Sequence, residues 1–590
     1  MPLNDELSEL FRKFAAILEL RGEPVFKAIS FSRVSRLMKD ATFDVKKAVE
    51  DGALGDIDGI GPSSKRIIEE FVRTGKSSDF DELSASVPPG LLPLLDIPGA
   101  GPKTIALFWK ERNITNIEEL TKAIEEGKLA GLKGIGEKKI EAIKQGIALR
   151  SQAAGRMGIA EALPIAEALV QRLRDLPGVA QVEIAGSLRR RRETIGDVDL
   201  LCSVKSAASA ESVAQAFTQF PEVTRILGCG ATKSSVITAG GLQVDLRIVP
   251  QVNFGAALQY FTGSKDHNTR LRGLAQDKKM TLNEWGLYRL DEYDRAKKKT
   301  GQPPETKPVA SKTEKEIYAA LGLDWIDPLL REDCGEIAAA AEGKLPRLIE
   351  ASDIRGDLHC HTTASDGKAS ILEMAQAAKN RGYEFLAITD HSKSQTIANG
   401  LTAQRLLKHA ADIRKANGKI PGITLLAGCE VDILVDGKLD FEESVLAELD
   451  FVVASPHVSL KQDQEKATGR LLRAIDTRYV NVIGHPTGRL INSRAGLPLD
   501  FASIFRAAAS TGTALEINAG YPRLDLNDTQ ARAAAIAGVM ISINTDAHSP
   551  AGLDELQLGI DVARRAWLTP KNVINCMTLA DLKTFIQRKR

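Results

Sequence analysis

The histidines of this chain are concentrated in its C-terminal part. Seven of the eight lie after residue 358, and His267 alone precedes them. Within 353–392 an apolar strand pattern alternates with an amphipathic helix pattern, which predicts α/β architecture. Polar residues also follow the later apolar runs, so each stands where a buried strand ends. The sequence therefore predicts an α/β unit that gathers imidazole and carboxylate side chains at one edge.

Nine of these polar residues are candidate metal ligands. Side chains alternate along a strand, so His359 and His361 share one face. Because the ends of barrel strands converge on one rim, we expect all nine to meet there. Imidazoles with carboxylates suit Zn²⁺, Mn²⁺ or Fe, and a multinuclear centre would activate water for attack on a phosphoester. The candidates are His359, His361, Asp366, His391, Glu430, His457, His485, Asp546 and His548. His409 is interpreted as part of an ordinary amphipathic helix face.

A second candidate site lies in VEIAGSLRRRRETIGDVDLL (182–201). The period of two in a strand places Asp197 and Asp199 on one face, whereas Val198 points into the core. The segment QVDLRIV (243–249) alternates similarly and offers Asp245 as a third carboxylate from a neighbouring strand. Three hard oxygen ligands suit Mg²⁺, and two such ions can clamp the attacking and leaving oxygens of an in-line phosphoryl transfer.

The first 150 residues have a helical pattern and contain three copies of a glycine–X–glycine motif. Each copy leads into a helix with a lysine close behind, so backbone amides and positive charge would meet a phosphate oxygen. The copies are Gly59-Ile60-Gly61 with Lys65, Gly99-Ala100-Gly101 with Lys103, and Gly134-Ile135-Gly136 with Lys138. The motif resembles the helix-hairpin-helix, which implies that it holds a DNA backbone without reading the base sequence.

The Gly-Ser turn before Asp197, together with LQYFTGSKDHNTRLRGLA (258–275), is similar to the bacterial family X DNA polymerases. The resemblance implies that Asp197, Asp199 and Asp245 bind the catalytic Mg²⁺ ions and that Asp245 activates the primer 3′ hydroxyl. It also implies a nucleotide-binding set around them. In that set Ser187, Arg190 and the Gly196 amide hold the triphosphate, Tyr260 and Gly263 face the sugar, and Asn268 and Arg272 face the minor groove of the nascent pair.

Residues 353–590 resemble the PHP (polymerase and histidinol phosphatase) domain, a distorted seven-stranded barrel. All nine expected ligand positions are filled, and the resemblance implies up to three Mn²⁺ or Zn²⁺ ions. The implied sets are His359, His361, Glu430 and Asp546 for one ion, Glu430, His457 and His485 for a second, and Asp366, His391 and His548 for a third. Asp390 and Glu516 are interpreted as residues that orient the ligands.

The segment DGIGPSSKRIIEEFVRTGK (58–76) resembles the small lyase domain of polymerase beta. Ile67 stands where that domain has its Schiff-base lysine, and neither the neighbouring Arg66 nor any other guanidinium can form an imine. We therefore expect this domain to bind a gapped 5′ end without normal lyase activity.

These observations predict a multidomain α/β protein. Helical helix-hairpin-helix domains precede a nucleotidyltransferase palm and thumb, and a distorted seven-stranded (β/α) barrel ends the chain. The expected boundaries are 1–82 for the DNA-end-binding domain, 83–150 for a fingers-like domain, 151–255 for the palm, 256–325 for the thumb, 326–352 for a linker, and 353–590 for the barrel.

The predicted function is gap-filling DNA repair synthesis by a cytoplasmic enzyme that uses deoxynucleoside triphosphates, with 3′–5′ exonuclease activity in the barrel. We expect a monomer. The net charge is only +1, so local groups such as the basic run Arg189 to Arg192 would have to meet phosphate. Three alternatives stay open. The barrel could be a phosphatase or an abasic-site endonuclease, the palm could be an untemplated nucleotidyltransferase, or the chain could be a non-catalytic scaffold for DNA ends.

Overall fold

The computed structural model describes residues 2–40, 45–57, 59–95, 97, 100–153, 155–296 and 304–588. Two compact units are present, one formed by Met1–Ala154 with Asn492–Arg494 and the other by Gly155–Ile491 with Ala495–Arg590. No helix among these described residues is long and apolar enough to cross a membrane.

The N-terminal unit is built from helices around two apolar cores. Leu7, Phe11 and Ile68 belong to the first core, and Leu91 and Phe108 belong to the second. The described helices are α1 (Pro2–Arg21), α2 (Val25–Asp40), α3 (Val45–Glu50), α4 (Pro62–Thr74), α5 (Ser78–Ala85), α6 (Leu91–Leu94), α7 (Pro102–Arg112), α8 (Ile117–Glu125) and α9 (Glu137–Ala153). The predicted helical character of this part is confirmed.

The palm is a five-stranded mixed sheet in the order β2-β4-β7-β6-β5. Strand β4 pairs in parallel with β7, and the other neighbours pair antiparallel. Apolar side chains such as Val198, Leu200 and Val244 are fully buried in its core. The elements are β1 (Met157–Gly158), α10 (Ile159–Arg174), β2 (Val179–Ile184), α11 (Gly186–Arg189), β3 (Thr194–Ile195), β4 (Asp197–Val204), α12 (Ala207–Thr218), β5 (Val223–Cys229), β6 (Lys233–Thr238) and β7 (Gln243–Pro250).

The thumb packs helices around the hairpin of β8 and β9. Its elements are α13 (Phe254–Thr262), α14 (Lys265–Asp277), β8 (Met280–Asn283), β9 (Gly286–Arg289), α15 (Leu290–Arg295), α16 (Glu314–Ala320) and α17 (Glu336–Ala341). Ile326, Leu330 and Ile337 share one core with Leu271 and Ile317 of this region. The segment predicted as a linker, 326–352, therefore begins inside the thumb core, because its apolar residues are buried there.

The C-terminal region is a parallel seven-stranded barrel whose strands follow chain order from β10 to β16. A parallel bridge between Cys360 and Ala547 brings the first and last strands together. Its elements are β10 (Gly356–Cys360), α18 (Ile371–Asn380), β11 (Phe385–Ile388), α19 (Ala403–Ala416), β12 (Thr424–Asp432), α20 (Glu443–Leu446), β13 (Phe451–Ser455), α21 (Gln464–Asp476), β14 (Val482–Ile483), α22 (Phe501–Thr511), β15 (Ala514–Asn518), α23 (Asp528–Ile536), β16 (Ile541–Asn544), α24 (Leu556–Arg565) and α25 (Leu579–Gln587). The predicted seven-stranded barrel is confirmed.

Candidate active sites

The three palm carboxylates lie side by side on adjacent strands. Asp199 of β4 is in register with Asp245 of β7, and Asp197 precedes Asp199 on the same face. Burial raises the pKa of Asp199 to about 6, and the negative charges of Asp197 and Asp245 add to the effect. Neighbouring carboxylates repel one another when all of them are ionised, and a divalent cation bound between them would remove this repulsion. The arrangement therefore fits a cation site.

Asp245 has two partners that the sequence did not reveal. Lys233 places its Nζ 2.6 Å from Oδ2 of Asp245, and the Gln243 side-chain amide donates to Oδ1 at 3.0 Å. Burial alone would raise the pKa of Asp245, but the hydrogen bonds from these two side chains hold the pKa below its ordinary value. Lys233 was missed because only the pairing of β6 with β7 brings it to this carboxylate.

The turn that precedes the predicted triphosphate-binding residues lies against one of the palm carboxylates. Gly186 has a φ of 60°, and a Cβ there would collide with Oδ2 of Asp199. The close approach of this backbone to the Asp199 carboxylate therefore requires glycine. Ser187 follows within the short helix α11. The Nε of Arg190 donates to Glu332 at 3.0 Å, and its Nη1 donates to the carbonyl oxygen of Thr262.

The predicted sugar and base-pair residues meet at the junction of α13 and α14. Gly263 has φ 70, and a Cβ built on it would lie 3.0 Å from Nη1 of Arg190. The Asn268 side-chain amide donates to the carbonyl oxygen of Tyr260 at 2.7 Å, and Arg272 is exposed one turn later. Gln259, which sequence reasoning missed, donates to Oδ1 of Asn268 at 2.7 Å. Gly196 directly precedes the metal-ligand candidate Asp197.

The glycines predicted to face DNA begin helices in the N-terminal unit. Gly61 caps α4 and Gly101 caps α7, and a proline in the first turn of each helix fits its start. Gly136 directly precedes α9, and Gly59 and Gly134 have φ 95 and φ 81. Gly99 lies outside the described residues. The three lysines are Lys65, which is half-buried, and Lys103 and Lys138, which are exposed.

Ile67 occupies the interior of this unit. It is 1% exposed and packs in the same core as Leu54 and Ile60. A side chain in that position cannot reach a DNA end, and its apolar character provides no nucleophile. Loss of normal lyase activity stays a prediction.

Glu430 lies at the centre of the barrel's histidine cluster. Its Oε1 is 2.9 Å from Nε2 of His485 and 3.2 Å from Nε2 of His457. Its Oε2 is 2.8 Å from Nδ1 of His391 and 3.7 Å from Nε2 of His361. The carboxylate is completely buried. Because the pKa of Glu430 lies well below its ordinary value despite burial, with His457 and His359 as the main causes, the group is ionised and available to cations.

All nine predicted ligand positions lie in this cluster or next to it, and eight of them form three overlapping groups with ligand atoms within 4.8 Å of one another. The groups are His359, His361, Glu430 and Asp546; His361, Asp366, His391 and His548; and His391, Glu430 and His457. The first matches an implied set. The second group contains the three residues of another implied set together with His361. The third group contains His391 in place of the expected His485, although His485 contacts Glu430 directly.

The residues present fit divalent cations. Nε2 of His359 and Nδ1 of His361 are buried without a hydrogen-bond partner among the described residues, and Oε2 of Glu430, although 2.8 Å from Nδ1 of His391, has no well-aligned hydrogen bond there. Buried polar atoms nearly always have a partner, so a cluster of orphaned donor atoms that face each other calls for a ligand that accepts lone pairs. The donors are nitrogen and carboxylate oxygen without thiolate, which suits Mn²⁺ or Zn²⁺.

Three acceptors fix the orientation of the histidine rings. Nδ1 of His359 is 2.8 Å from Glu516, as predicted for that residue, and Nδ1 of His548 is 2.7 Å from the carbonyl oxygen of Asp546. Nδ1 of His457 contacts Asp432, a residue that the sequence analysis missed. Asp432 stands two residues after Glu430 on β12, so its period-two position was the available signal.

Asp390 holds the loop between two candidate ligands. Its carboxylate accepts hydrogen bonds from the backbone amides of Thr362 and Ser365, which lie between His361 and Asp366. His409 places Nε2 2.8 Å from the same carboxylate and is 9% exposed. His409 therefore lies on the buried face of the amphipathic helix α19, in keeping with the sequence interpretation, and it also contacts a buried carboxylate that the helical pattern did not reveal.

Binding of Mn²⁺ to the barrel is expected to release protons. Burial alone would lower the pKa of His391 and His457, but the Glu430 carboxylate outweighs it and raises them to about 10 and about 9. Both rings therefore keep their protons in the metal-free protein below these values, and a metal must displace them. The apparent Mn²⁺ affinity should therefore rise as the pH increases towards about 9, the pKa of His457. Calorimetry in buffers of different ionisation enthalpy measures the release, and a pH-independent affinity would contradict it.

Known proteins match both halves of the chain. The family models described as helix-hairpin-helix domain, DNA polymerase beta thumb and PHP domain match residues 2–77, 257–332 and 357–519. Over 585 residues, 99% of each chain, the sequence is 37% identical to the DNA polymerase/3'-5' exonuclease PolX of Bacillus subtilis (strain 168). The chain belongs to the family X DNA polymerases with a PHP domain. The predicted family and fold class are thereby confirmed.

Shorter matches link this family X polymerase to proteins named as phosphatases. A probable phosphatase of Thermoanaerobacter sp. (strain X514) is 28% identical over 245 residues, which are 40% of this chain and 95% of that protein. A probable phosphatase of Photobacterium profundum is 32% identical over 166 residues, 28% of this chain and 63% of that protein. These proteins share a smaller part of the sequence than the polymerase relative does.

Proposed function

We propose that the palm extends a primer across short gaps in DNA and that the barrel removes nucleotides from a 3′ end. The observation that carries this proposal is the presence of two separate clusters of side chains with the chemistry of cation ligands, the carboxylates on the paired strands around Asp199 in the palm and the imidazoles and carboxylates around Glu430 in the barrel. Polymerase and 3′–5′ exonuclease are the two activities in the name of the Bacillus subtilis relative.

In the palm, Asp197, Asp199 and Asp245 would hold Mg²⁺, which would neutralise charge on the triphosphate and the primer oxygen. Asp245 stays ionised because of Lys233 and Gln243, so it can accept the proton of the primer 3′ hydroxyl. Most of the catalysis in such a transfer comes from charge stabilisation and positioning. Ser187, Arg190 and the Gly196 amide bind the triphosphate.

Selection of the nucleotide is assigned to the junction of α13 and α14. Tyr260 with the Gly263 turn faces the sugar and disfavours a ribose 2′-hydroxyl. Asn268 and Arg272 face the minor groove of the nascent pair, and Gln259 fixes the Asn268 amide in one orientation. The substrates are therefore deoxynucleoside triphosphates and primer–template or gapped DNA. A requirement for a template would distinguish the enzyme from an untemplated nucleotidyltransferase.

The N-terminal unit is assigned to the DNA backbone. Gly59, Gly61 and Lys65, Gly101 and Lys103, and Gly134, Gly136 and Lys138 provide amides and positive charge at helix starts. Contacts of this kind position DNA without reading its sequence. We also propose that the enzyme acts in the cytoplasm and as a monomer.

In the barrel, His359, His361, Glu430 and Asp546 would hold one Mn²⁺ or Zn²⁺ ion, and the overlapping groups would hold up to two more. Bound ions would polarise the phosphoester and activate water. Glu516 and Asp432 keep the rings of His359 and His457 in place. With these ions bound, the rim of the barrel would present a multinuclear site to the phosphodiester at a 3′ end.

A phosphatase is the second candidate for the barrel, because the shorter relatives carry that name. The products distinguish the two. With Mn²⁺ and single-stranded DNA ending in a 3′-hydroxyl, we expect release of nucleoside monophosphate, measured by chromatography. With DNA ending in a 3′-phosphate, release of inorganic phosphate without monophosphate would instead make the barrel a phosphatase. Cleavage at an internal abasic site would identify the endonuclease alternative.

A further inference from the structure

The basic run that follows Ser187 is tied to carboxylates and to the barrel. Glu193 accepts two hydrogen bonds from Arg489, at 3.1 and 2.7 Å, and Nε of Arg191 is 3.3 Å from Asp561. Arg489 and Asp561 belong to the barrel, and Arg489 follows the ligand candidate His485 by four residues. Asp561 of the barrel therefore neutralises part of the charge of Arg191, and Glu193, which directly follows the run, ties the same segment to the barrel through Arg489.

Arg565, at the end of α24 in the barrel, contacts the main chain of the loop formed by residues 189–193, here called the nucleotide loop. Its Nη1 donates to the carbonyl oxygen of Arg190 at 2.7 Å, and its Nη2 donates to Asp528 at 2.6 Å. The Arg565 side chain is only 4% exposed. A barrel side chain, anchored by a barrel carboxylate, thus holds the main chain of the loop at the residue assigned to the triphosphate.

Glu332 of the thumb connects the two arginines. Its Oε1 accepts from Nε of Arg190 and from Nη1 of Arg565, each at 3.0 Å. One carboxylate oxygen therefore shares its charge between a nucleotide-binding arginine and a barrel arginine. Charge-assisted hydrogen bonds of this kind are about twice as strong as neutral ones, so their geometry is well determined.

We propose that Arg565 of the barrel is a positioning residue for the incoming nucleotide in the polymerase reaction. Arg565 holds the Arg190 backbone in place and offsets the negative charge of Glu332. The Arg190 guanidinium can therefore turn from that carboxylate to a triphosphate. Without Arg565, Glu332 would bind Arg190 more tightly and its charge would oppose the triphosphate. This inference rests on the proposed function of the palm.

The test is steady-state filling of a single-nucleotide gap. Arg565→Met should raise the KM for the complementary nucleotide by roughly tenfold with little change in kcat, the result expected from loss of a charged hydrogen bond that acts in binding. Arg565→Lys should raise it less, because the charge remains. Adding Glu332→Gln to Arg565→Met should lower the KM again, because it removes the unbalanced charge.

Arg564→Met is the matched control. Arg564 is the preceding residue of α24 and also links barrel and thumb, through Asp327 at 2.8 Å, but within the described part of the chain it makes no hydrogen bond to the nucleotide loop. Its variant should keep the wild-type KM. Trimming of single-stranded DNA should be unchanged in every variant, which shows an intact barrel. If Arg565→Met loses trimming, its barrel is damaged, and the KM of Arg565→Lys then tests the inference in its place.

Three results would overturn the inference: a wild-type KM in Arg565→Met, an equal increase in Arg564→Met, or no recovery with Glu332→Gln. If the wild-type enzyme fills no gap at all, the proposed polymerase function fails and not this contact. The two failures are therefore distinguishable.

Discussion

Replacing Asp245 with asparagine is expected to lower nucleotide incorporation by about 1000-fold, the scale of losing a charge that stabilises the transition state. Asp245 lies in register with Asp199 and is the carboxylate assigned to activate the primer hydroxyl. The amide would keep the shape of the side chain but lose both a metal ligand and the proton acceptor. The measurement is single-turnover extension on a gapped duplex with Mg²⁺.

Glu183→Gln is the matched control for Asp245→Asn. Glu183 lies on β2 of the same sheet, is exposed, and has a loose ion pair with Arg174 at 3.8 Å. An exposed pair of this kind contributes about 0–1 kcal/mol, so extension should stay at the wild-type rate. Trimming of single-stranded DNA should persist in both variants. Normal extension by Asp245→Asn would remove this residue from the palm mechanism.

Replacing Glu430 with glutamine is expected to lower Mn²⁺-dependent trimming by about 1000-fold, because it removes a carboxylate shared by two of the three ligand groups. The neutral side chain also leaves His391 and His457 without the charge that raises their pKa. Extension by the palm should remain measurable, which reports on folding of the chain. Release of nucleoside monophosphate from single-stranded DNA is the readout.

Asp450→Asn provides the control within the barrel. Asp450 directly precedes β13, whereas the ligand candidate His457 follows that strand, so the two lie at opposite ends. The Asp450 carboxylate accepts from the amide of Ala427 at 2.9 Å, away from the ligand cluster. Its variant should trim DNA normally. If it lost trimming as completely as Glu430→Gln, the defect would be one of folding and not of metal binding.

The sequence predicted the ligand candidates because strand periodicity is local. A period of two placed Asp197 and Asp199 on one face, and the polar residues after buried strands predicted the rim of the barrel. Parallel strands then bring such residues together by topology alone, as Glu430 and His485 show. The family resemblance added the expected barrel, which the order of its strands confirms.

The remaining features depend on contacts between residues far apart in the chain. Lys233 reaches Asp245 only through the pairing of β6 and β7, and His409 reaches Asp390 only through the packing of α19. Arg565 meets Glu332 only because the barrel and the thumb lie side by side. Neither periodicity nor spacing encodes such pairs, so no local pattern could have predicted them.

The most direct test of the two cation sites is anomalous diffraction from crystals grown with Mn²⁺ and a nonhydrolysable nucleotide. We expect anomalous peaks beside Glu430 in the barrel and between Asp199 and Asp245 in the palm. Anomalous density that avoids both carboxylate clusters, in crystals where Mn²⁺ is bound elsewhere, would contradict it.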